Sequence, residues 1–161
     1  MRVIGIDVGF AILGWSIIEK NGGNNYKLID FGVIETGKDA SIESRLKEVY
    51  EQLSYIVHKY SPEEAAVESL FFFKNQKTVI NVAQVRGVIL LALANGNIKI
   101  FDYTPLQVKV SVTGYGRAEK SQVQQMVKII CGLTEIPKPD DAADAIAIGI
   151  CHLNSNKYNN M

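Results

Sequence analysis

The stretch Val3-Ile4-Gly5-Ile6-Asp7-Val8-Gly9 decides the fold of this chain. Its apolar and β-branched residues are typical of a buried strand. Asp7 comes at the end of that strand, and a buried carboxylate costs several kcal/mol unless a partner or a metal compensates its charge. Two interpretations of Asp7 are open at this point: it caps the turn at Gly9, or it is a metal ligand carried on a rigid strand.

The totals indicate a single globular domain. A chain of 161 residues is long enough for one core, and we expect a domain over residues 1–153 followed by a polar tail at 154–161. The composition, 47% hydrophobic and 21% charged, is ordinary for a soluble protein. No apolar run approaches the roughly 20 residues of a membrane span, and no signal-peptide pattern is present, so we expect a cytoplasmic protein.

The formal net charge of zero hides a segregated charge distribution. Residues 69–128 contain eight basic and two acidic side chains, a net charge of +6. The remainder contains nine basic and 15 acidic side chains, a net charge of −6. Such asymmetry indicates a polyanionic partner, although the lysines also have the alternative of spreading over several faces of the folded domain.

Hydrophobic periodicity and turn signals predict five strands and five helices. The predicted strands cover residues 2–8, 12–19, 26–35, 65–68 and 98–103, and the predicted helices cover residues 42–60, 78–95, 105–112, 119–131 and 140–153. The short links between the first three strands favour an antiparallel meander. Later strands alternate with helices and should run parallel to the first through right-handed crossovers. We therefore expect an α/β fold, with a mixed five-stranded sheet and helices on both faces.

Four carboxylates are expected to meet at one edge of this sheet. Asp7 and Glu68 end two strands, and ligands bind beyond the carboxyl ends of strands in such sheets. Asp141 and Asp144 are three residues apart, so they share a face at the start of an otherwise apolar helix. Helix capping is the alternative for both, and it is the expected role of Asp140.

Convergence of these carboxylates requires a cation. At about 4 Å and an effective dielectric constant near 20, each pair of charges repels by on the order of 4 kcal/mol. A set of oxygen ligands without Cys or His indicates Mg²⁺ or Mn²⁺. Two such ions suit the in-line attack of water on a phosphodiester.

Five motifs, in this order and spacing, resemble those of the RuvC family of Holliday junction resolvases. The motifs are Gly5-Ile6-Asp7-x-Gly9, Val67-Glu68-x-x-Phe71, Gln84-x-Arg86-Gly87, Gly114-x-Gly116-x-Ala118-Glu119-Lys120-Ser121-Gln122-Val123 and Asp141-Ala142-Ala143-Asp144-Ala145. The resemblance runs from Met1 to about His152 and implies a ribonuclease H-like fold.

The resemblance also implies an activity and its partners. Family members are homodimers that bind four-way junction DNA and nick two opposed strands with Mg²⁺, in recombination and repair, leaving 5′-phosphate and 3′-hydroxyl ends. They work with the RuvA and RuvB branch-migration proteins. By resemblance, two Mg²⁺ ions per subunit bind four catalytic carboxylates, and two lysines complete the active site: Asp7, Glu68, Asp141, Asp144, Lys109 and Lys120.

A further set of residues is expected to contact DNA: Phe71, Lys74, Arg86, Gly114, Gly116 and Arg117. Phe71 matches the family aromatic that stacks on unpaired bases, an interaction worth about 1–3 kcal/mol, and packing of Phe71 in the core is the alternative. The segment 114–117 precedes a helix N-terminus and is either a phosphate cradle or a simple turn. Ala83 and Gly87, one helical turn apart, permit close helix approach within the chain or across a dimer axis.

Two residues depart from the family pattern, and two other functions compete. Val8 replaces the proline of many members and Phe10 replaces a small hydroxyl residue, and both changes affect the turn beneath the site. Asp7-x-Gly9 also resembles the first phosphate loop of sugar kinases and actin-type ATPases, but those proteins need two lobes. The second competitor is a junction-binding protein without catalysis, against which the retention of all four carboxylates argues.

Overall fold

The computed structural model describes residues 1–69 and 75–155. The expected DNA contacts Phe71 and Lys74, the core alternative for the phenylalanines at 71–73, and residues 156–161 of the predicted tail lie outside the described residues.

Within the described residues, five strands and five helices follow one another in the predicted order. The strands are β1 (Arg2–Asp7), β2 (Ile12–Lys20), β3 (Tyr26–Glu35), β4 (Glu64–Glu68) and β5 (Lys99–Tyr103); the helices are α1 (Ile42–Tyr60), α2 (Gln76–Asn95), α3 (Pro105–Thr113), α4 (Lys120–Ile130) and α5 (Asp140–Ser155). Every predicted boundary lies within two residues of the observed one. Helix α5 is longer than predicted, and Asn154 near its end donates hydrogen bonds to Ser111.

The sheet has the strand order β3-β2-β1-β4-β5. Strand β1 pairs antiparallel with β2 and parallel with β4, and β4 pairs parallel with β5. Ile6 of β1 is paired with Val67 of β4, so Asp7 and Glu68 follow side by side at the same edge of the sheet. This register is what brings the two carboxylates together.

Helices cover both faces of the sheet, as predicted, because each strand alternates its side chains between two hydrophobic clusters. Ile4 and Ile6 of β1 belong to the cluster that includes buried residues of α1 and α2. Val3 of β1 and Ala66 of β4 belong to the cluster that includes buried residues of α3, α4 and α5. The predicted mixed five-stranded α/β architecture is confirmed.

Helix α2 differs from the expectation that no segment approaches a membrane span. Among the described residues it is the one helix with the length and composition to cross a membrane, although these criteria also admit helices of soluble domains. Polar residues interrupt its apolar ones, so the helix contains no continuous apolar run of the length of a membrane span. Five of its 20 residues are buried, and four of these belong to the hydrophobic cluster on the α1 side of the sheet.

Candidate active site

Helix α5 carries two of the predicted ligands, and glycines let it lie unusually close to the sheet. A Cβ atom at Gly14 of β2 would stand 1.9 Å from the backbone oxygen of Asp141, and one at Gly5 of β1 would stand 2.2 Å from the backbone oxygen of Ala145. Any larger residue would therefore push the start of α5 away from the sheet. The buried Ser16 hydroxyl donates a hydrogen bond of 3.0 Å to the oxygen of Ala145 and fixes the helix there.

The carboxyl groups of Asp7 and Glu68 interact through a hydrogen bond across the parallel β1–β4 pair. Burial, first of all, raises the pKa of Asp7 to about 9, and the hydrogen bond to Glu68 and the neighbouring carboxylates act in the same direction. Burial also raises the pKa of Glu68, while its hydrogen bond with Asp7 opposes the rise. Asp7 is thus the donor of this hydrogen bond and Glu68 the acceptor.

Asp144 faces the same group from the first turns of α5 and has a cationic partner. The Lys120 ammonium, on the first residue of α4, lies 2.9 Å from Oδ2 of Asp144 and 3.6 Å from Oδ2 of Asp140. Burial raises the pKa of Asp144, and the Lys120 hydrogen bond opposes that rise. Burial lowers the pKa of Lys120, but the bond to Asp144 and the nearby acids outweigh it, so the net direction is upward.

A cavity of about 260 Å³ opens beside these side chains. Glu68, Asp144, Lys109 and Lys120 line its polar part, and Val108, Val123 and Ile148 are among its apolar lining. Among residues 1–69 and 75–155, no acidic group lies within 4.0 Å of the Lys109 ammonium. Lys109 is therefore a cation next to the carboxylates that has no acidic partner in the described part of the chain.

The donor set consists of carboxylate oxygens and fits divalent cations. No three His, Cys, Asp or Glu side chains in the described residues already form a metal-ligand group. The charges of Glu68, Asp144 and Asp141 nevertheless all act on Asp7 and raise its pKa. Oxygen ligands of this kind suit Mg²⁺ or Mn²⁺. Asp7, Glu68, Asp141 and Asp144 would hold a bound cation, which would compete with the proton of Asp7 and with the Lys120 ammonium for these oxygens.

The residues predicted to contact DNA differ in exposure and in their side-chain partners. Gly114 ends α3 in the left-handed conformation, with φ of 76°, and the exposed Arg117 follows it shortly before α4. The 114–117 segment thus precedes a helix N-terminus, as predicted, and its contact with phosphate stays a prediction. Arg86 differs, because its guanidinium pairs with Asp102 at 2.7 Å and only 15% of its side chain is exposed.

Sequence reasoning missed one contributor to the turn beneath Asp7. The guanidinium of the buried Arg45 lies 3.8 Å from the centre of the Phe10 ring, donates to the Phe10 carbonyl at 3.2 Å and donates to Thr36 Oγ1 at 2.8 Å. The signal was present in the sequence, because Arg45 interrupts the apolar face of α1. Its partner, more than 30 residues away, was not visible.

Comparison with known proteins identifies the family. A family profile described as crossover junction endodeoxyribonuclease RuvC matches residues 3–152. The curated RuvC of Fusobacterium nucleatum is 60% identical over 96% of this chain and 81% of its own length, and that of Halothermothrix orenii is 55% identical over 99% and 96%. The structure of T. thermophilus RuvC in complex with its Holliday junction substrate superimposes with a TM-score of 0.95 at 31% identity, covering 99% of this chain and 96% of that one. The chain belongs to the RuvC family of crossover junction endodeoxyribonucleases.

Proposed function

We propose that this chain is a Mg²⁺-dependent resolvase that nicks two opposed strands of a Holliday junction and leaves 5′-phosphate and 3′-hydroxyl ends. Family membership supports the substrate class, and the carboxylate group supports the chemistry. The observation that carries the proposal is the placement of the acidic side chains: Asp7 and Glu68 end adjacent parallel strands, and Asp144 lines the same cavity as Glu68. Acidic side chains brought together in this way have a use for cations.

Each side chain has a role in this proposal. Asp7, Glu68, Asp141 and Asp144 would hold the Mg²⁺ ions. Bound cations would supply an activated water and stabilise the departing 3′-oxygen. The Lys120 ammonium, released from Asp144, and the Lys109 ammonium would offset charge on the scissile phosphate. The apolar lining of the 260 Å³ cavity would limit water around those ammonium groups and strengthen their interaction with the phosphate.

We also propose that the active unit is a homodimer built on helix α2. Ile80 and Leu91 are 58% and 54% exposed, and Ala83 and Gly87 lie exposed between them on the same face. A Cβ at Gly87 would meet no atom within 4 Å, so the close approach suggested by Ala83 and Gly87 is not made within the described chain. A second copy would bury this apolar face, and a two-fold pair of sites matches the two-fold symmetry of an open junction.

Three further parts complete the proposal. Cooperation with RuvA and RuvB follows from family membership. A single nuclease domain over residues 1–153 follows from the chain length, and a cytoplasmic location follows from the composition and hydropathy pattern.

The test is a cleavage assay on three substrates. Labelled four-way junction, linear duplex of the same sequence and ATP are each incubated with the protein in Mg²⁺ or EDTA. We expect paired nicks in the junction only, dependent on Mg²⁺, with ligatable 5′-phosphate ends. Asp7→Asn should abolish cleavage while Asp140→Asn, which changes a 65%-exposed neighbour on the same sheet edge, should retain it. Junction binding without cleavage, or ATP hydrolysis, would refute the proposal in favour of one of the two competing functions.

A further inference from the structure

Arg86 makes two contacts that fix the end of strand β4. Its Nη1 donates to the backbone oxygen of Glu68 at 3.3 Å, and its Nη2 donates to Oδ1 of Asp102 at 2.7 Å. Asp102 lies on β5 opposite Val67, the residue before Glu68. The guanidinium therefore connects three elements, α2, β4 and β5, at the point where β4 delivers its carboxylate to the active site.

One further backbone contact holds the described chain just beyond Glu68. The backbone N–H of Ser69 donates to the Tyr103 oxygen at 2.9 Å, the last contact before the segment 70–74. The side chain of Glu68 has moderate burial and its hydrogen-bond partner is Asp7. Its position in the carboxylate group thus depends on how firmly the end of β4 is held beside β5. The forked, planar Arg86 side chain adds to the backbone pairing there, because it contacts both strands.

We infer that Arg86 and Asp102 form a positioning pair that orients Glu68 for cation binding, rather than Arg86 serving primarily as a DNA contact. The inference deepens the proposed function and rests on it. An arginine that binds phosphate needs exposed donors, whereas most of the Arg86 side chain is buried and two of its nitrogens already have partners. Partners that orient metal ligands typically contribute about 10- to 100-fold to metal affinity or activity.

The two roles predict opposite effects of changing Asp102. If Arg86 positions Glu68 through the pair, loss of Asp102 should harm the site as loss of Arg86 does. If Arg86 is a DNA contact, loss of Asp102 frees the guanidinium and removes a negative charge, so junction binding should tighten and metal binding should stay unchanged.

The experiment compares Arg86→Ala, Asp102→Asn and the double variant with the wild-type protein. Calorimetric titration of Mn²⁺ into DNA-free protein measures cation affinity, and gel shift in EDTA over a range of salt concentrations measures junction binding. We expect each single variant to weaken cation binding by about tenfold, and the double variant to be no weaker than either single variant, because one pair is lost in each case. Arg86→Lys, which keeps the charge but loses the fork, should restore only part of the affinity.

A matched control distinguishes an effect on the orientation of Glu68 from the general effect of losing an ion pair. Arg2 forms an analogous half-buried pair with Glu19 at 2.7 Å and also donates to the Tyr60 oxygen, at the opposite edge of the sheet. Arg2→Ala should leave cation affinity at the wild-type value. Thermal melts and sedimentation of every variant exclude unfolding and dimer loss as causes, and if Arg86→Ala fails to fold, Asp102→Asn carries the test alone.

Two outcomes would count against the inference. Wild-type cation affinity in Asp102→Asn would overturn it, and so would a loss of junction binding in Arg86→Ala with a shallower salt dependence, the signature of a lost phosphate contact. A wild-type protein that neither binds cations nor cleaves junctions would instead refute the proposed function itself, so the two failures are distinguishable.

Discussion

Replacing Asp7 by asparagine should make the metal-free protein more stable while abolishing catalysis. The pKa of Asp7 is about 9 in the folded protein, against an ordinary value of 3.8. Between those two values the unfolded chain has released the proton and the folded protein still holds it. The wild-type free energy of unfolding therefore falls as pH rises through this window, by about 1.4 kcal/mol per pH unit.

At pH 7 the penalty reaches about 4 kcal/mol, because the pH then lies about three units above the unfolded pKa. Asparagine removes the ionisation, and its amide can donate to Glu68 as the protonated carboxyl does. A gain of up to about 4 kcal/mol corresponds to a rise in Tm of roughly 8–16 °C for a domain of this size. The gain should vanish near pH 4, where both states of the wild-type residue hold the proton.

The assay is a set of thermal melts from pH 4 to pH 8, in EDTA and in Mg²⁺, with cleavage and EDTA gel shifts on the same preparations. Mg²⁺ should raise the melting temperature of the wild-type protein and leave that of Asp7→Asn unchanged, because only the wild-type protein retains the carboxylate charge at position 7. Junction binding should persist or tighten, since basic side chains supply most of that affinity. Asp140→Asn is the control and should show no pH-dependent gain. An Asp7→Asn variant with wild-type stability at pH 7, or with robust cleavage, would refute the reasoning.

Three further changes test other parts of the site. Lys120→Ala should lower the cleavage rate at saturating Mg²⁺ by about a hundredfold without weakening Mn²⁺ binding, whereas Lys128→Ala on the same helix should change neither; equal losses in both would point to damage to α4. Leu91→Asp should convert the dimer to a monomer in sedimentation, while Tyr55→Asp, at an exposed position on α1, should not; a monomeric wild-type protein with full activity would exclude the dimer. Phe71→Ala should resolve junctions poorly with an unchanged melting temperature, and a loss of about 3–5 kcal/mol in stability would instead show that Phe71 is a core residue.

Most of the fold followed from the sequence because its signals are local. Strand and helix periodicity, glycine and asparagine turns, and the alternation of helices with strands each depend on neighbouring residues, and all predicted elements are present within two residues of their expected ends. The parallel placement of β4 beside β1 followed from chain order, and it was enough to bring Asp7 and Glu68 to the same edge.

The candidate site was predictable in composition but not in its internal contacts. The four carboxylates stand at strand ends and in the first two turns of a helix, positions that the sequence reveals. The pairing of Asp144 with Lys120, and of Arg86 with Asp102, depends on which long side chains meet across separate elements. Hydrophobic periodicity does not predict contacts between side chains on separate elements. Arg86 was therefore predicted as a DNA contact from its charge and its motif alone.

The turn after Asp7 shows how a departure from the family pattern can be accommodated. Phe10, in place of a small hydroxyl residue, removes a side chain that could hydrogen-bond its own backbone, and it adds a large ring near the site. The buried Arg45 compensates for both changes. Its guanidinium packs over the Phe10 ring and donates a hydrogen bond to the Phe10 carbonyl. A buried guanidinium is tolerated only when its donors are satisfied, and Thr36 and the Phe10 carbonyl supply acceptors. Through the contact between Arg45 and Phe10, the segment that follows Asp7 is therefore anchored to α1 as well as to the sheet.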